Sequence, residues 1–137
     1  MTLEDKYLVP EVMGDTVHFW EGCRQHEFRL QKCRNCGSYQ NYPRPFCGEC
    51  YETNIEWVTS SGRGTVWTFT VTKQHGDPHF AWRVPFVLAY VELEEGVKVM
   101  TNIVDTPPES VYIGMPVEVT FVEVTPELSI YQFRPRM

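Results

Sequence analysis

Two C-x-x-C pairs constrain this chain more than anything else in it: Cys33-Arg-Asn-Cys36 and Cys47-Gly-Glu-Cys50, separated by ten residues, 37 to 46. Each pair sets two thiolates on one tight turn, and a linker of that length folds back far enough to gather both pairs around one tetrahedral ion. Two intervening residues let both sulfurs of a pair reach a metal at about 2.3 Å. The spacing predicts a zinc ribbon. Gly37 and Gly48 supply backbone freedom at the knuckles, and Lys32, Arg34 and Arg44 stand in sequence where they can offset a local charge of about minus two. All four positions are cysteine, so no coordination site stays open for water. The ion is expected to be structural, one per chain, and to contribute on the order of 10 kcal/mol to folding of a segment too small to hold itself together.

Two other uses of the same cysteines compete with that reading. A pair of disulfides requires an oxidising compartment, yet no basic-then-apolar leader precedes Pro10, and the fifth cysteine, Cys23, would be left over. A redox iron held by four thiolates needs the same ligands and stays open on sequence alone.

At 137 residues and 42% hydrophobic content, the chain is long enough for one compact core and a small appendage. No apolar stretch reaches the length of a membrane span and no lipidation motif is visible, so the expectation is a soluble cytoplasmic protein with no membrane partner. The net charge of −6 argues against nucleic acid, because phosphate backbones are held by clustered Lys and Arg.

The sequence divides into three parts: an N-terminal arm and helix over 1–27, the ribbon over 28–59 and a strand-rich unit over 60–137. Residues Met1 to Pro10 show no period and read as an arm that orders on contact with something else. Asp15 is placed to cap a helix from Thr16 to Gln25, whose Phe19, Trp20 and Cys23 can face either the ribbon or the groove of a partner. Phe28–Lys32 and Ile55–Val58 read as strands entering and leaving the metal knuckles. Five further strands follow: Gly64–Lys73, Pro85–Leu93, Val97–Val104, Val117–Val124 and Ser129–Arg134. In the first of these, Val66, Thr68, Thr70 and Thr72 alternate with Thr65, Trp67, Phe69 and Val71. The tip Glu94-Glu95-Gly96 reads as a turn too polar to bury. Five antiparallel strands with a long bent first strand predict a small Greek-key barrel of the OB type, and Asp105–Pro116 has room for one helical turn at most. The fold class is therefore mainly β: an N-terminal helix, a rubredoxin-like zinc ribbon and a five-stranded OB-fold barrel.

One long irregular segment, Gln74–Val84, interrupts the strands and carries Phe80, Trp82 and Arg83, residue types that anchor interfaces. Its His75, Asp77 and His79 resemble a metal or acid/base set, but Gly76 and Pro78 form a turn in which these side chains need not converge, and a partner-binding loop is the better reading. No Ser/His/Asp set, paired carboxylates or phosphate-cradling glycine loop stands out, so no catalytic residue is assigned. Cys23 has Arg24 and His26 nearby, but a buried structural thiol is the expectation.

Taken in order, Phe19-Trp20, Leu30 to Cys33, Cys36-Gly37, Tyr42-Pro-Arg44, Cys47 to Cys50, Trp57-Val58, Ser61-Gly-Arg-Gly64-Thr-Val66, Pro85-Phe86 to Leu93, Glu95-Gly96 and Ile113 to Val117 resemble a known family over nearly the whole chain. That family, long labelled as of unknown function, joins a rubredoxin-like zinc ribbon to an acyl-CoA-associated OB-fold. The resemblance implies a small noncatalytic partner of a thiolase-superfamily protein, in a heterotetramer built around the partner's dimer. The larger chain would cleave or form carbon-carbon bonds in CoA thioesters, as in the degradation of aromatic or steroid acids. It also implies metal ligation by Cys33, Cys36, Cys47 and Cys50. Phe19, Trp20, Phe80 and Trp82 are the expected partner contacts. Two alternatives belong to the barrel itself: direct CoA binding through Arg63, Lys73 and Arg83, and stacking of single-stranded nucleic acid on Trp67, Phe69 and Tyr90.

Overall fold

The computed structural model describes residues 2–137. Two short helices lead the chain, α1 (Leu3–Lys6) and α2 (Val17–Arg24), followed by three ribbon strands, β1 (Arg29–Cys33), β2 (Tyr39–Gln40) and β3 (Ile55–Thr59). The barrel strands are β4 (Arg63–Thr72), β5 (Phe86–Leu93), β6 (Lys98–Ile103), β7 (Pro116–Thr125) and β8 (Leu128–Pro135), with α3 (Pro78–Ala81) between β4 and β5. The ribbon sheet has the order β2-β1-β3, and the other five strands close in the order β4-β5-β6-β8-β7.

That closed order is the OB arrangement, and one of its seams departs from the expectation of five antiparallel strands. β6 and β8 run parallel, paired at Ile103 and Phe133, while β4 closes the other seam antiparallel to β7, from Arg63 opposite Glu118 to Thr65 opposite Pro116. A parallel neighbour requires a crossover, and the chain between β6 and β8 supplies it by way of β7. The link before β7 holds a single 3-10 turn, Pro108–Ser110, in keeping with its two prolines.

β4 does not keep the uniform alternation read from its sequence. Its register against β5 slips between Val66 and Thr68, so one extra residue, Trp67, opposes the partner strand there. A bulge of this kind moves every later side chain to the opposite face. Val66 points into the core before the slip, Phe69 and Val71 pack against the core after it, and Trp67 is left 50% exposed. Gly64, just upstream, runs so close to β5 that a Cβ there would sit 2.4 Å from the Glu92 carbonyl oxygen.

One hydrophobic core joins all three parts. Barrel residues including Val91, Val99, Val117 and Phe133 pack with Leu30 and Phe28 of the ribbon side and with Phe19 and Cys23 of α2. Phe19 meets Phe28 edge-on at 5.5 Å and Tyr131 of β8 at 5.8 Å. The helix therefore packs within its own chain, against β8 as well as β1. Its N-terminus also differs from the expectation. Asp15 lies inside a 3-10 turn, Gly14–Thr16, and the side chain that ties this turn is Thr16, whose Oγ1 accepts from the Met13 N–H at 3.0 Å.

The arm is ordered by the chain itself. Trp82 donates its indole N–H to the Lys6 carbonyl at 2.8 Å, Tyr7 meets the Trp82 ring edge-on at 5.5 Å, and Thr2 and Asp5 form a capping box on α1. The acidic tip between β5 and β6 is similarly engaged. Glu95 accepts from the Ser60 hydroxyl at 2.9 Å and the Ser61 N–H at 3.0 Å, and Glu94 accepts from the Ser61 hydroxyl at 2.7 Å. These bonds tie the hairpin to the passage from ribbon to barrel.

Candidate metal centre and aromatic surfaces

The four cysteines of the two knuckles converge. Their sulfurs all lie within 4.8 Å of one another, with Cys33 to Cys50 and Cys36 to Cys47 each at 3.6 Å. A tetrahedral ion with sulfur at about 2.3 Å requires sulfur separations of roughly 3.8 Å, so the donor set fits zinc. Among the described residues this is the one cluster of three or more potential ligands. It is a structural zinc site, with two of its cysteines, Cys33 and Cys47, buried.

The two knuckles are built alike. Each chain reverses through a positive-φ residue directly after its second cysteine, Gly37 at 79° and Tyr51 at 64°. Gly48, expected to supply this freedom, has a different role: a Cβ there would lie 2.5 Å from an Arg44 guanidinium nitrogen. N–H groups turn toward the sulfurs, from the Cys36 backbone to Cys33 at 3.5 Å, from the Glu49 backbone to Cys47 at 3.3 Å and from the Asn35 side chain to Cys50 at 3.5 Å. Ser38 Oγ stands 3.2 Å from the Cys36 sulfur and draws its thiol down to about 6, toward the thiolate a metal needs. Two of the three cations expected to offset the sulfur charge are engaged elsewhere, while the Arg44 guanidinium lies against Gly48 of the second knuckle. Arg34 pairs with Glu56 at 2.5 Å and Lys32 lies over the Tyr39 ring at 5.4 Å. Amide dipoles stand in their place.

A pair of glutamines that sequence reasoning passed over holds the linker between the knuckles. Buried Gln31 accepts from the Arg44 N–H and donates to the Arg44 carbonyl, both at 2.9 Å. Gln40 donates to Gln31 at 2.6 Å and to the Phe46 carbonyl at 3.1 Å, and accepts from the Gly48 N–H at 3.0 Å. No sequence signal marked the pair: Gln31 alternates with core-facing Leu30 on β1, and its burial under the linker arises only once the knuckles fold over that face.

The expected partner contacts separate on inspection. Phe19 is 5% exposed and belongs to the core, because its ring fills the joint between α2, Phe28 and Tyr131. Trp20 is half-buried against it. Phe80 is half-buried beside His75 and Phe86, whereas Trp82 stays 43% exposed although its indole holds the arm. An exposed apolar group lies on another face, where Trp67, Tyr90 and Met100 adjoin on β4, β5 and β6 at 50%, 41% and 51% exposure. Trp67 and Tyr90 meet edge-on at 6.3 Å, and the Lys98 ammonium sits over Trp67 at 4.8 Å. Phe69, once grouped with them, turns toward the core.

Asp77 caps a helix and holds both histidines, donating its backbone N–H to His75 Nδ1 at 3.0 Å and placing its Oδ1 2.7 Å from His79 Nδ1. Asp77 accepts from the His79 N–H at 2.8 Å at the start of α3, and that bond holds its carboxyl below the usual carboxylate range. Arg63, Lys73 and Arg83 do not form one site. Arg63 and Lys73 bracket β4, with roughly 30 Å of strand between them, whereas Arg83 lies near Phe86 at the Lys73 end. Arg63 is paired with Glu94 at 3.5 Å. Arg83 lies among the rings of Phe80, Tyr7 and Phe86 at 4.9, 5.2 and 5.3 Å, and its buried Nε has no hydrogen-bond partner.

Comparison with known proteins agrees with this architecture. Residues 20–56 match the ChsH2 rubredoxin-like zinc ribbon domain and residues 57–122 the ChsH2 C-terminal OB-fold domain. The chain is 40% identical over 132 residues to the 3-oxo-4,17-pregnadiene-20-carboxyl-CoA hydratase alpha subunit of Mycobacterium tuberculosis, with 96% of this chain covered. It spans 41% of the length of that subunit. It is 38% identical to a DUF35 domain-containing scaffold protein of Methanocaldococcus jannaschii, covering 85% of this chain and 82% of that protein. The solved structure of an Ltp2-ChsH2(DUF35) aldolase superposes with a TM-score of 0.82 at 33% identity, covering 92% of this chain and 98% of the matched one. With metal knuckles, closed barrel and both domain matches in the same order, the chain belongs to the DUF35 family, as a ChsH2-type zinc ribbon followed by a ChsH2-type OB-fold.

Proposed function

We propose that this chain is the noncatalytic accessory subunit of an enzyme complex acting on CoA thioesters, and that its partner is a thiolase-superfamily protein that makes or breaks a carbon-carbon bond. The observation that carries the reading is the likeness, over nearly the whole chain, to the matched chain of an Ltp2-ChsH2(DUF35) aldolase. The hydratase alpha subunit among its relatives supports the CoA-thioester part of it.

The geometry supports a docking role. The zinc knuckles and the glutamine clamp make the ribbon rigid, and the shared core fixes it to the barrel, so one preformed surface is offered. On that surface the Trp67, Tyr90 and Met100 group combines rigid aromatic area with a polar border, the composition of an interface anchor. Trp82 is a second contact of the same kind, and it carries the arm with it. The acidic balance weighs against the same aromatic face serving as a stacking platform for nucleic acid.

Affinity capture of the tagged chain from its native host, with mass spectrometry of the bound proteins, tests the reading. A thiolase-superfamily protein in near-equal amount is the expected result. Recovery of the chain alone, or with nucleic acid, overturns it.

A further inference from the structure

We propose that Arg83, with the aromatic rings around it, is an oxyanion receptor: a built site at the Phe86 end of the barrel that takes a phosphate or carboxylate group. The inference is independent of the subunit reading, since it concerns a group on this chain and is tested on this chain alone.

Three features of Arg83 point the same way. First, the guanidinium has no counter-charge. Its Nε is buried without a hydrogen-bond partner, and it forms no ion pair with a carboxylate among the described residues, Asp105 on the same cavity included. In a chain of net charge −6 carrying 18 acidic residues, a cation left without one is set apart from the solvated arginines, several of which pair with a glutamate. Second, the charge is half-buried against aromatic rings. Rings of Tyr7, Phe80 and Phe86 lie within 5.3 Å, and burial works against the protonated form. Ring faces return part of the lost hydration but supply no acceptor for the five N–H donors. Third, there is room for a ligand. Arg83 lines a cavity of about 260 Å³ between the arm and the barrel end, with Tyr7, Trp82 and Phe86 among its walls.

A planar guanidinium held by aromatic walls is suited to a two-oxygen anion, which it meets through two parallel N–H bonds, and the shielded setting strengthens those bonds relative to water. The arm makes one wall through Tyr7 and is fastened by the bond from Trp82 to Lys6. An oxyanion on Arg83 therefore alters the surroundings of the Trp82 indole directly. The anion has two possible sources, the phosphate of a small ligand or a side-chain carboxylate of a bound partner.

The experiment is a titration of the 15N-labelled full chain at low ionic strength with pyrophosphate and, separately, with glutarate, reading the indole N–H resonances of all four tryptophans. Saturable movement of Trp82, with Trp20, Trp57 and Trp67 unmoved, is the expected result. R83Q is expected to weaken binding by about tenfold, and R83K, which keeps the charge without the fork, by about threefold. Pyrophosphate binding about tenfold tighter than glutarate assigns the site to a phosphate ligand; equal or tighter glutarate binding assigns it to a carboxylate. The proposal is overturned if Trp82 does not move, if Trp67 beneath Lys98 moves with the same midpoint, or if R83Q or R83K binds as the parent does. Should R83Q lose its dispersed spectrum, the comparison with R83K alone decides.

Discussion

Single residues separate the cysteines of this chain into two chemistries. N–H donors turn toward the sulfurs of Cys33, Cys47 and Cys50, whereas Cys23 is fully buried among apolar groups and its thiol is pushed up to about 12 by desolvation. Replacing Cys47 with Ser removes a soft buried ligand. Loss of the ion is expected to unfold the ribbon and lower the melting temperature by well over ten degrees, on the order of 10 kcal/mol being at stake; metal analysis and a thermal melt check this, and unchanged metal content contradicts the ligand set. For Cys23 the sign is set by the raised folded-state value. In the unfolded chain the thiol ionises near 9, while in the folded chain it holds its proton to about 12, so folding is penalised increasingly as pH rises through that window. Stability is expected to fall by about 1.4 kcal/mol per pH unit above 9, and Cys23→Ala to remove most of the fall between 9 and 10, where Tyr131, raised from 10 to about 12, contributes the smaller share. Denaturant melts at pH 8, 9 and 10 read this out. The ligand cysteines were legible from spacing alone because metal geometry is local. The Gln31–Gln40 clamp was not, because its bonds join strands and linker only after folding.

At the scale of elements, α2 and β4 show where pattern reading succeeds and where it stops. Both elements were expected near their observed bounds, since apolar period and turn residues are written along the chain. The direction their side chains face was not. Phe19 and Trp20 look alike as exposed anchors on a terminal helix, yet Phe19 completes an edge-on cluster with Phe28 and Tyr131. Phe19→Ala is accordingly expected to cost about 3–4 kcal/mol of stability, whereas Trp82→Ala should cost less and instead release the arm, seen as faster amide exchange over residues 3–7. In β4 the bulge at Trp67 reverses the alternation, and no residue type announced it. Gly64→Ala tests the close approach of β4 to β5. A methyl group 2.4 Å from a backbone oxygen cannot be accommodated by a rotamer change, and a loss of about 2 kcal/mol or more is expected in a denaturant melt.

For the whole molecule, the decisive feature is that ribbon, helix and barrel share one core and so present a single rigid surface. The overall order of parts was legible because each part carries its own signature: knuckle spacing, helix period, hairpin turns. Their mutual packing was not, since the parallel closure of β6 on β8 and the docking of the arm on Trp82 are contacts between residues far apart in sequence. The proposed role is that of a rigid zinc-bound subunit of a larger CoA-thioester enzyme. The measurement that tests it most directly is native mass spectrometry of the assembly captured from the host. Two copies of this chain with two of a thiolase-superfamily protein are expected, with one zinc ion in each copy of this chain. This chain recovered with its zinc but no partner would contradict it.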